Sequence, residues 1–336
     1  MPKVFGHDQR PPATARVFVT RKIPNEGLDL LRNEKEVDLH VWEKNCVIPR
    51  KELLKRVRGI DALLSLLTDR IGSEVMDAAG PQLKIISNYA VGYDNVDVKA
   101  ATARKIVVTN TPGVLTEAVA EHTFALLLSI ARRIPESDRF ARAGRYKGWE
   151  PMLLLGTELQ GKTLGVVGLG RIGSRVAEMA VRGMGARAIY HDRKRDAKFE
   201  KQFKARFCET LPELLREADF VSLHVPLLPS TYHLIGEKEL KVMKRTAYLI
   251  NTSRGPVVDE KALVRALKGG WIRGAALDVF EEEPRLAPGL AKLENVVLTP
   301  HTASATIEAR GAMARLAAQA VLDVLAGKKP ENVVNP

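Results

Sequence analysis

"VVGLGRIGSRVAEMA", residues 166–180, decides the fold. Its glycines, Gly168, Gly170 and Gly173, have the spacing G-x-G-x-x-G. Three glycines alone mark only a tight turn, so the flanks carry the reading. Upstream, "KTLGVVG" (162–168) is a short apolar run that predicts a strand. Downstream the loop opens a helix pattern, and "ARAIYHD" (186–192) predicts the next strand, ending on Asp192. Strand, glycine loop, helix, strand and terminal acid are the parts of a dinucleotide-binding βαβ unit. There Gly168 makes the tight turn, Gly170 lets the backbone approach a pyrophosphate, and Gly173 lets the helix pack against the strand. Leu169, Arg171 and Ile172 lead into a helix N-terminus whose free amides and partial positive charge favour that pyrophosphate. Asp192 stands where a carboxylate accepts hydrogen bonds from the adenosine ribose hydroxyls. In the run that follows it, Arg193 or Arg195 can swing over a 2′-phosphate. The acid outweighs the mobile arginine, because like charges in a partly desolvated pocket repel. The expectation is NAD(H) as preferred cofactor, with NADP(H) possible.

On both sides of this loop, apolar strand patterns alternate with helix patterns. Before it, strands are predicted at 15–20, 37–42, 61–67, 83–90 and 106–110. After it, they are predicted at 186–192, 220–226, 247–253, 274–280 and 295–300. Unbroken alternation is the pattern of α/β domains with parallel sheets. A length of 336 residues suits two of them. The expected fold class is therefore α/β, two Rossmann-like or flavodoxin-like parallel-sheet domains. Between the two series, "TEAVAEHTFALLLSIARR" (116–133) is a helix pattern apolar around most of its circumference, so it is buried between domains or against a partner subunit. Residues 140–160 read as an irregular arm with an exposed Trp149. The last helix pattern, 306–327, needs a surface to cover and is expected to return to the first domain. The predicted organisation is a flexible N-terminal extension at 1–14, one domain of 15–112 plus 306–336, and an inserted domain of 113–305.

Composition narrows the partners. Hydrophobic residues make up 45% and charged residues 27%, an ordinary globular balance. No apolar run is long enough for a membrane span, and the first residues lack the apolar core of a signal peptide. Two cysteines, Cys46 and Cys208, give no disulfide framework and fit a cytoplasmic location. The net charge is +12, spread along the chain. Its densest stretch, "DRKRDAKFEKQFKAR" (192–206), reads as a solvated surface. No nucleic-acid, membrane or metal site is expected, whereas small anions would be drawn to clefts of so basic a protein.

Three later stretches carry chemistry. "NTSRGPVVDE" places Arg254 just after a strand, "LDVFEEEP" places Asp278 at a strand end with Glu283 beyond it, and "LTPHTAS" places His301 after another strand. Ligands of open parallel sheets bind at the carboxyl ends of the strands. Singly, each residue reads as an ordinary surface or structural group. Together, downstream of a dinucleotide loop, Arg254, Glu283 and His301 supply what hydride transfer to a 2-oxo acid needs. The guanidinium can hold a carboxylate through two parallel hydrogen bonds. The imidazolium can give a proton to the oxygen as hydride reaches carbon. The carboxylate can orient the ring and favour its charged form.

The stretches "NYAVGYDNVDV", "TNTPGVLTEAVAEHT", "VVGLGRIG", "NTSRGPVVDEKALVRAL", "GAALDVFEEEP" and "PHTASAT" occur in an order and spacing that resemble the D-isomer-specific 2-hydroxyacid dehydrogenase family, within it the archaeal glyoxylate reductases. The resemblance implies reduction of glyoxylate or hydroxypyruvate in a cleft between a discontinuous substrate-binding domain and an NAD(P)-binding domain. It also implies a homodimer formed through the cofactor domain. It assigns Arg254 to the substrate carboxylate, His301 to proton donation and Glu283 to His301. It places Leu67, Val91 and Gly92 around the substrate, with backbone amides offered by the last two. It places Thr116, Asp278, Arg254 and His301 by the nicotinamide, and Val225, Pro226, Thr252 and Ser253 by the riboses. One departure is "HTAS" in place of His-Ile-Gly-Ser: Ala303 for glycine is expected to shift the backbone there, which weakens the assignment of Ser304. A 3-phosphoglycerate dehydrogenase and an NAD-sensing corepressor-like protein are the alternatives. Pairing of histidine with Glu283 rather than glutamine argues against a formate dehydrogenase.

Overall fold

The computed structural model describes residues 14–335; the extension expected at 1–14 falls outside them except for Thr14. Contacts divide the described chain into two compact units, one running to Leu115 and resuming at Thr306, the other spanning Thr116–Ala305.

The first unit alternates β1 (Ala15–Val19), α1 (Asn25–Arg32), β2 (Val37–Val41), α2 (Arg50–Arg56), β3 (Ala62–Leu66), α3 (Ser73–Ala79), β4 (Ile85–Tyr89), α4 (Val98–Ala103) and β5 (Val107–Thr109). The strands form one parallel sheet in the order β2-β1-β3-β4-β5. Val17, Val19, Leu63, Leu64, Ile85 and Ile86 are fully buried. A parallel sheet covered on both faces needs such continuous apolar strands rather than alternating ones.

The second unit begins with α5 (Thr116–Ala131) and α6 (Ile134–Arg142). It continues through β6 (Thr163–Val167), α7 (Arg171–Met184), β7 (Arg187–His191), α8 (Ala197–Phe203), β8 (Arg206–Phe207), α9 (Leu211–Glu217) and β9 (Phe220–Leu223). It closes with α10 (Glu237–Val242), β10 (Tyr248–Asn251), α11 (Glu260–Lys268), β11 (Gly274–Leu277) and β12 (Val296–Leu298). Its seven strands are parallel in the order β12-β11-β10-β9-β6-β7-β8. The sequence of strands reverses direction between β6 and β9, so their carboxyl ends flank the crevice where such sheets take ligands. One apolar layer, with α5 and α7, lies on one face; a second, with α9 and α11, lies on the other.

The chain then returns to the first unit as α12 (Ile307–Leu325), whose Thr306 cap accepts from the Ala309 amide. Helix α12 packs on α1 and β4. Ser87 Oγ donates to the Ala317 carbonyl at 2.9 Å and Tyr89 Oη to the Arg310 carbonyl at 2.8 Å. Past it, the Val108 amide of edge strand β5 donates to Asn335 Oδ1 at 2.7 Å.

Two segments depart from the sequence reading. The basic stretch 192–206 is not merely a solvated surface. Asp196 caps α8 by accepting from the Phe199 amide, Phe199 and Phe203 are buried one turn apart, and Arg195 pairs with Glu200 at 2.7 Å. The arm expected to be irregular over 140–160 starts later, because α6 runs on to Arg142. Trp149 beyond it is 81% exposed. Among the described residues no helix is long and apolar enough to cross a membrane.

Candidate active site

The glycine loop follows β6 and opens α7. Gly168 has φ +93°, and a Cβ there would meet the His224 carbonyl and Val225, so the loop is pressed against the end of β9. A Cβ on Gly173 would collide with the Gly168 carbonyl oxygen, which is the close helix–strand packing expected of it. Beside Gly170 a Cβ would meet nothing within 4 Å; space is open where backbone is expected to approach a pyrophosphate. The first turn of α7, with Arg171 and Ile172, presents amides that have no intrahelical partner. These features fit a dinucleotide.

Asp192 ends β7 and turns back onto the loop. Its Oδ2 accepts from the Leu169 amide at 2.7 Å and its Oδ1 from the Arg193 amide at 2.6 Å. The Arg193 side chain is exposed, whereas Arg195 is engaged by Glu200. Pro226 follows Val225, and its carbonyl accepts from Thr231 Oγ1 at 2.6 Å.

The loop after β10 carries Thr252, Ser253 and Arg254. Buried Asn251 shapes it: its Oδ1 accepts from the amide and hydroxyl of Ser253, at 3.0 and 2.8 Å, while its Nδ2 donates to the Arg254 carbonyl at 2.9 Å. Thr252 Oγ1 is 2.8 Å from Thr123 Oγ1 on α5. Thr116 starts that helix, and the next residue, Glu117, pairs with Arg175 of α7 at 2.8 Å. Gly255 has no room for a side chain, because the Phe280 carbonyl fills the space; the Arg254 loop is thereby packed on the loop bearing Glu283.

His301 and Glu283 meet. His301 Nδ1 lies 2.9 Å from Glu283 Oε2 and 3.2 Å from Oε1, and Oε1 also accepts from the Phe280 amide at 3.1 Å. An ionised carboxylate only accepts, so Nδ1 carries a proton and Nε2 is the ring atom left for chemistry. The side chains of His301 and Glu283 are 25% and 31% exposed. The Glu283 loop is clamped from below by Glu260, which is 2% exposed. Its oxygens accept from the Glu281 and Ala287 amides at 2.7 and 3.2 Å. Burial pushes the Glu260 carboxyl up, against the lowering effect of those two amides. His233 Nε2 adds a contact of 2.7 Å to Glu281.

Asp278, expected to meet the nicotinamide amide, directly follows β11. It has no exposed surface, and its oxygens are taken up by Thr299 Oγ1 at 2.6 Å and by the amides of Thr302 and Ala303 at 2.8 Å each. His122 Nε2, from α5, lies 3.3 Å away. The Ala303 amide is thus well held. Ala303 is not among the residues with positive φ, so alanine fits there without the strain expected at a glycine position, and Ser304 follows it directly.

All these residues lie in the second unit, mostly on loops at the carboxyl edge of its sheet. Leu67, Val91 and Gly92 belong to the first unit, past β3 and β4. Asn110 Nδ2 donates to the Val91 carbonyl at 2.7 Å and Asn88 Nδ2 to the Gly92 carbonyl at 2.9 Å, so carbonyls of this turn are fixed by side chains. Leu67 follows Leu66, whose amide is held by buried Asp69 at 2.9 Å. Asn251, His122, Thr299, Glu260 and Asn88 were missed by sequence reasoning. Only His122 left a local trace, as a polar residue inside an apolar helix. A separate cavity of about 340 Å³, lined by Arg133, Glu136, Tyr248 and Arg273, lies at the amino ends of β10–β12, away from the triad.

Residues 124–303 match the sequence model of the D-isomer specific 2-hydroxyacid dehydrogenase NAD binding domain. The glyoxylate reductase of Korarchaeum cryptofilum is 54% identical over 323 residues, covering 95% of this chain and 96% of its own. A crystal structure of a Thermus thermophilus protein superimposes with TM-score 0.89 at 48% identity, covering 95% of this chain and 99% of that one. An NADPH-dependent glyoxylate/hydroxypyruvate reductase of Sinorhizobium meliloti, in complex with NADP and malonate, has TM-score 0.83 at 34% identity, covering 96% and 97%. With a dinucleotide loop and a joined histidine–glutamate pair at the carboxyl edge of one sheet, and with relatives this similar over nearly its whole length, the chain belongs to the D-isomer-specific 2-hydroxyacid dehydrogenase family.

Proposed function

We propose that the chain reduces glyoxylate, and hydroxypyruvate as a second substrate, to glycolate and D-glycerate. The observation that carries this reading is the His301–Glu283 pair, which leaves Nε2 as the only ring nitrogen able to serve the substrate. Arg254 binds the substrate carboxylate through its guanidinium fork, and the amides of Val91 and Gly92, with the side chain of Leu67, come from the first unit as the substrate-binding domain. The reduced nicotinamide, when bound, supplies hydride to the carbonyl carbon. His301 Nε2 gives its proton to the carbonyl oxygen, so the oxygen leaves as a hydroxyl and no alkoxide is released. Glu283 holds the ring through Nδ1 during that transfer. Gly168–Gly173 hold the pyrophosphate, Thr116 lies by the nicotinamide, and Val225, Pro226, Thr252 and Ser253 border the riboses. Reductive turnover of a panel of 2-oxo acids tests the reading: glyoxylate and hydroxypyruvate are expected to lead, and a clear preference for 3-phosphohydroxypyruvate would replace it with the phosphoglycerate reading. Absence of turnover with every 2-oxo acid, alongside intact NADH binding, would favour a sensor.

NADH is the proposed cofactor, with NADPH also used. The Asp192 carboxylate at the end of β7 repels a 2′-phosphate, and Arg193, next in sequence with an exposed side chain, attracts one. Asp192→Ser is expected to shift the ratio of kcat/KM values toward NADPH by roughly tenfold or more, since one removed like-charge contact is worth over 1 kcal/mol. A native preference for NADPH would show that Arg193 outweighs the acid. We also infer a homodimer through the cofactor unit, because Tyr146, Trp149 and Met152 expose apolar surface on one arm. Light scattering is expected to give twice the chain mass, and Trp149→Glu to weaken the association.

A further inference from the structure

The run "DRKR" (192–195) sets three cations behind the acid that follows β7, and the structure treats them differently. Arg193 and Lys194 have exposed side chains. Arg195 also lies at the surface, yet its guanidinium is engaged. Its Nε donates to Glu200 Oε1 at 2.8 Å and its Nη2 to Glu200 Oε2 at 2.7 Å, a two-pronged pair with one carboxylate.

Surface ion pairs usually hold little, because two long side chains must be ordered to make them. Here one partner is ordered already. Glu200 lies in the first turn of α8, directly after buried Phe199, and its side chain is only 14% exposed. Tyr190 Oη donates to Glu200 Oε1 at 2.8 Å and accepts from the Asp196 amide at 2.7 Å. Burial pushes the Tyr190 hydroxyl up to about 12, so its proton stays on and its donor role is fixed. The hydrogen bond from Arg195 holds the Glu200 carboxyl below the usual carboxylate range, so Glu200 is charged. The backbone around Arg195 is tied on both sides. Asp192 accepts from the Leu169 and Arg193 amides, and Asp196 accepts from the Phe199 amide.

We propose that Glu200 is a specificity-determining residue of the cofactor site: it withholds the Arg195 guanidinium from nucleotides that carry a 2′-phosphate. A fork satisfied by a carboxylate has two fewer donors for a phosphate, and the pair carries no net charge with which to attract one. Asp192 and its exposed neighbours are then left to set the ratio of NADH to NADPH use. This rests on the reading that Asp192 faces the adenosine ribose.

The test is equilibrium binding of NAD⁺ and NADP⁺ to the intact protein by calorimetry, which needs no turnover. Glu200→Gln keeps a carbonyl oxygen for the Tyr190 hydroxyl and turns the other oxygen into an NH₂ facing the guanidinium. It is expected to tighten NADP⁺ about fivefold, the upper range for a surface ion pair, and to leave NAD⁺ within about twofold. Arg195→Ala in the native background is expected to change the NADP⁺ Kd by less than about twofold, since the engaged fork contributes little. In the Glu200→Gln background the same change is expected to abolish the gain. Unchanged NADP⁺ affinity in Glu200→Gln would overturn the proposal. So would a gain that survives the loss of Arg195, because the missing charge of Glu200 would then act by itself. A several-fold weakening of NADP⁺ by Arg195→Ala alone would also overturn it, by placing the arginine on the phosphate already. That variant alters a side chain that is 62% exposed, so it decides the matter even if the glutamine variant does not fold. Failure of the underlying reading looks different. A native protein that binds neither nucleotide removes the dinucleotide site and the proposal with it. A native preference for NADP⁺ that Arg193→Ala removes and Arg195→Ala leaves intact corrects the ranking of Asp192 over Arg193 and upholds the role of Glu200.

Discussion

Replacing His301 with alanine is expected to lower glyoxylate reduction by about 10³-fold, within the range that a positioned general acid contributes. The physical basis is the asymmetry of the ring. Nδ1 is committed to Glu283 at 2.9 Å, so in the proposed reaction Nε2 is the ring nitrogen that gives the proton. Without it, hydride addition must leave an alkoxide that only water can protonate. NADH should still bind with near-native affinity, because the glycine loop and Asp192 are built on β6, α7 and β7, remote in sequence from the loop after β12. Glu283→Gln is a milder change: its amide oxygen can still accept from Nδ1, but without a full charge. A loss of about tenfold is expected, since hydrogen bonds to charged groups are roughly twice as strong as neutral ones. The check is kcat under saturating NADH, with a fluorescence titration of nucleotide binding alongside. Turnover within a few-fold of native in His301→Ala would assign the proton to another group.

Replacing Arg254 with lysine keeps the charge and removes the fork. The expected loss in kcat/KM for glyoxylate is roughly 100-fold or more, on the order of 3 kcal/mol. A lysine ammonium is a point charge and cannot hold a carboxylate in one plane. The loop should survive the change. Asn251 holds the backbone of Ser253 and Arg254 without using the guanidinium, and Gly255 remains seated on Phe280. Thermal unfolding should therefore be close to native. Both kcat and KM are expected to suffer, because a substrate bound by its charge alone is both weaker and less well oriented. Near-native efficiency in Arg254→Lys would place the substrate carboxylate elsewhere.

The sequence by itself determined what local patterns can encode. Continuous apolar runs marked the buried parallel strands, and the run of strand, glycines, helix and Asp192 identified the nucleotide loop within about 30 residues. Arg254, Glu283 and His301 were legible because each follows a strand, and a strand's carboxyl end in a parallel sheet is set by direction alone. Where charge density masked a local pattern, reading failed: Phe199 and Phe203 are one turn apart and buried, yet the lysines and arginines around them read as solvent-exposed. Tertiary structure alone decided the support beneath the triad. Asp278 meets His122 across some 156 residues of chain, and Ser87 on β4 meets Ala317 on α12 across 230. No periodicity records such partners. A buried polar group must find a donor or acceptor, but which one it finds depends on how the helices and strands come to pack. For the same reason the sequence placed Asp278 at a strand end but did not name the four groups that the packed protein brings to its carboxylate, His122, Thr299 and the amides of Thr302 and Ala303.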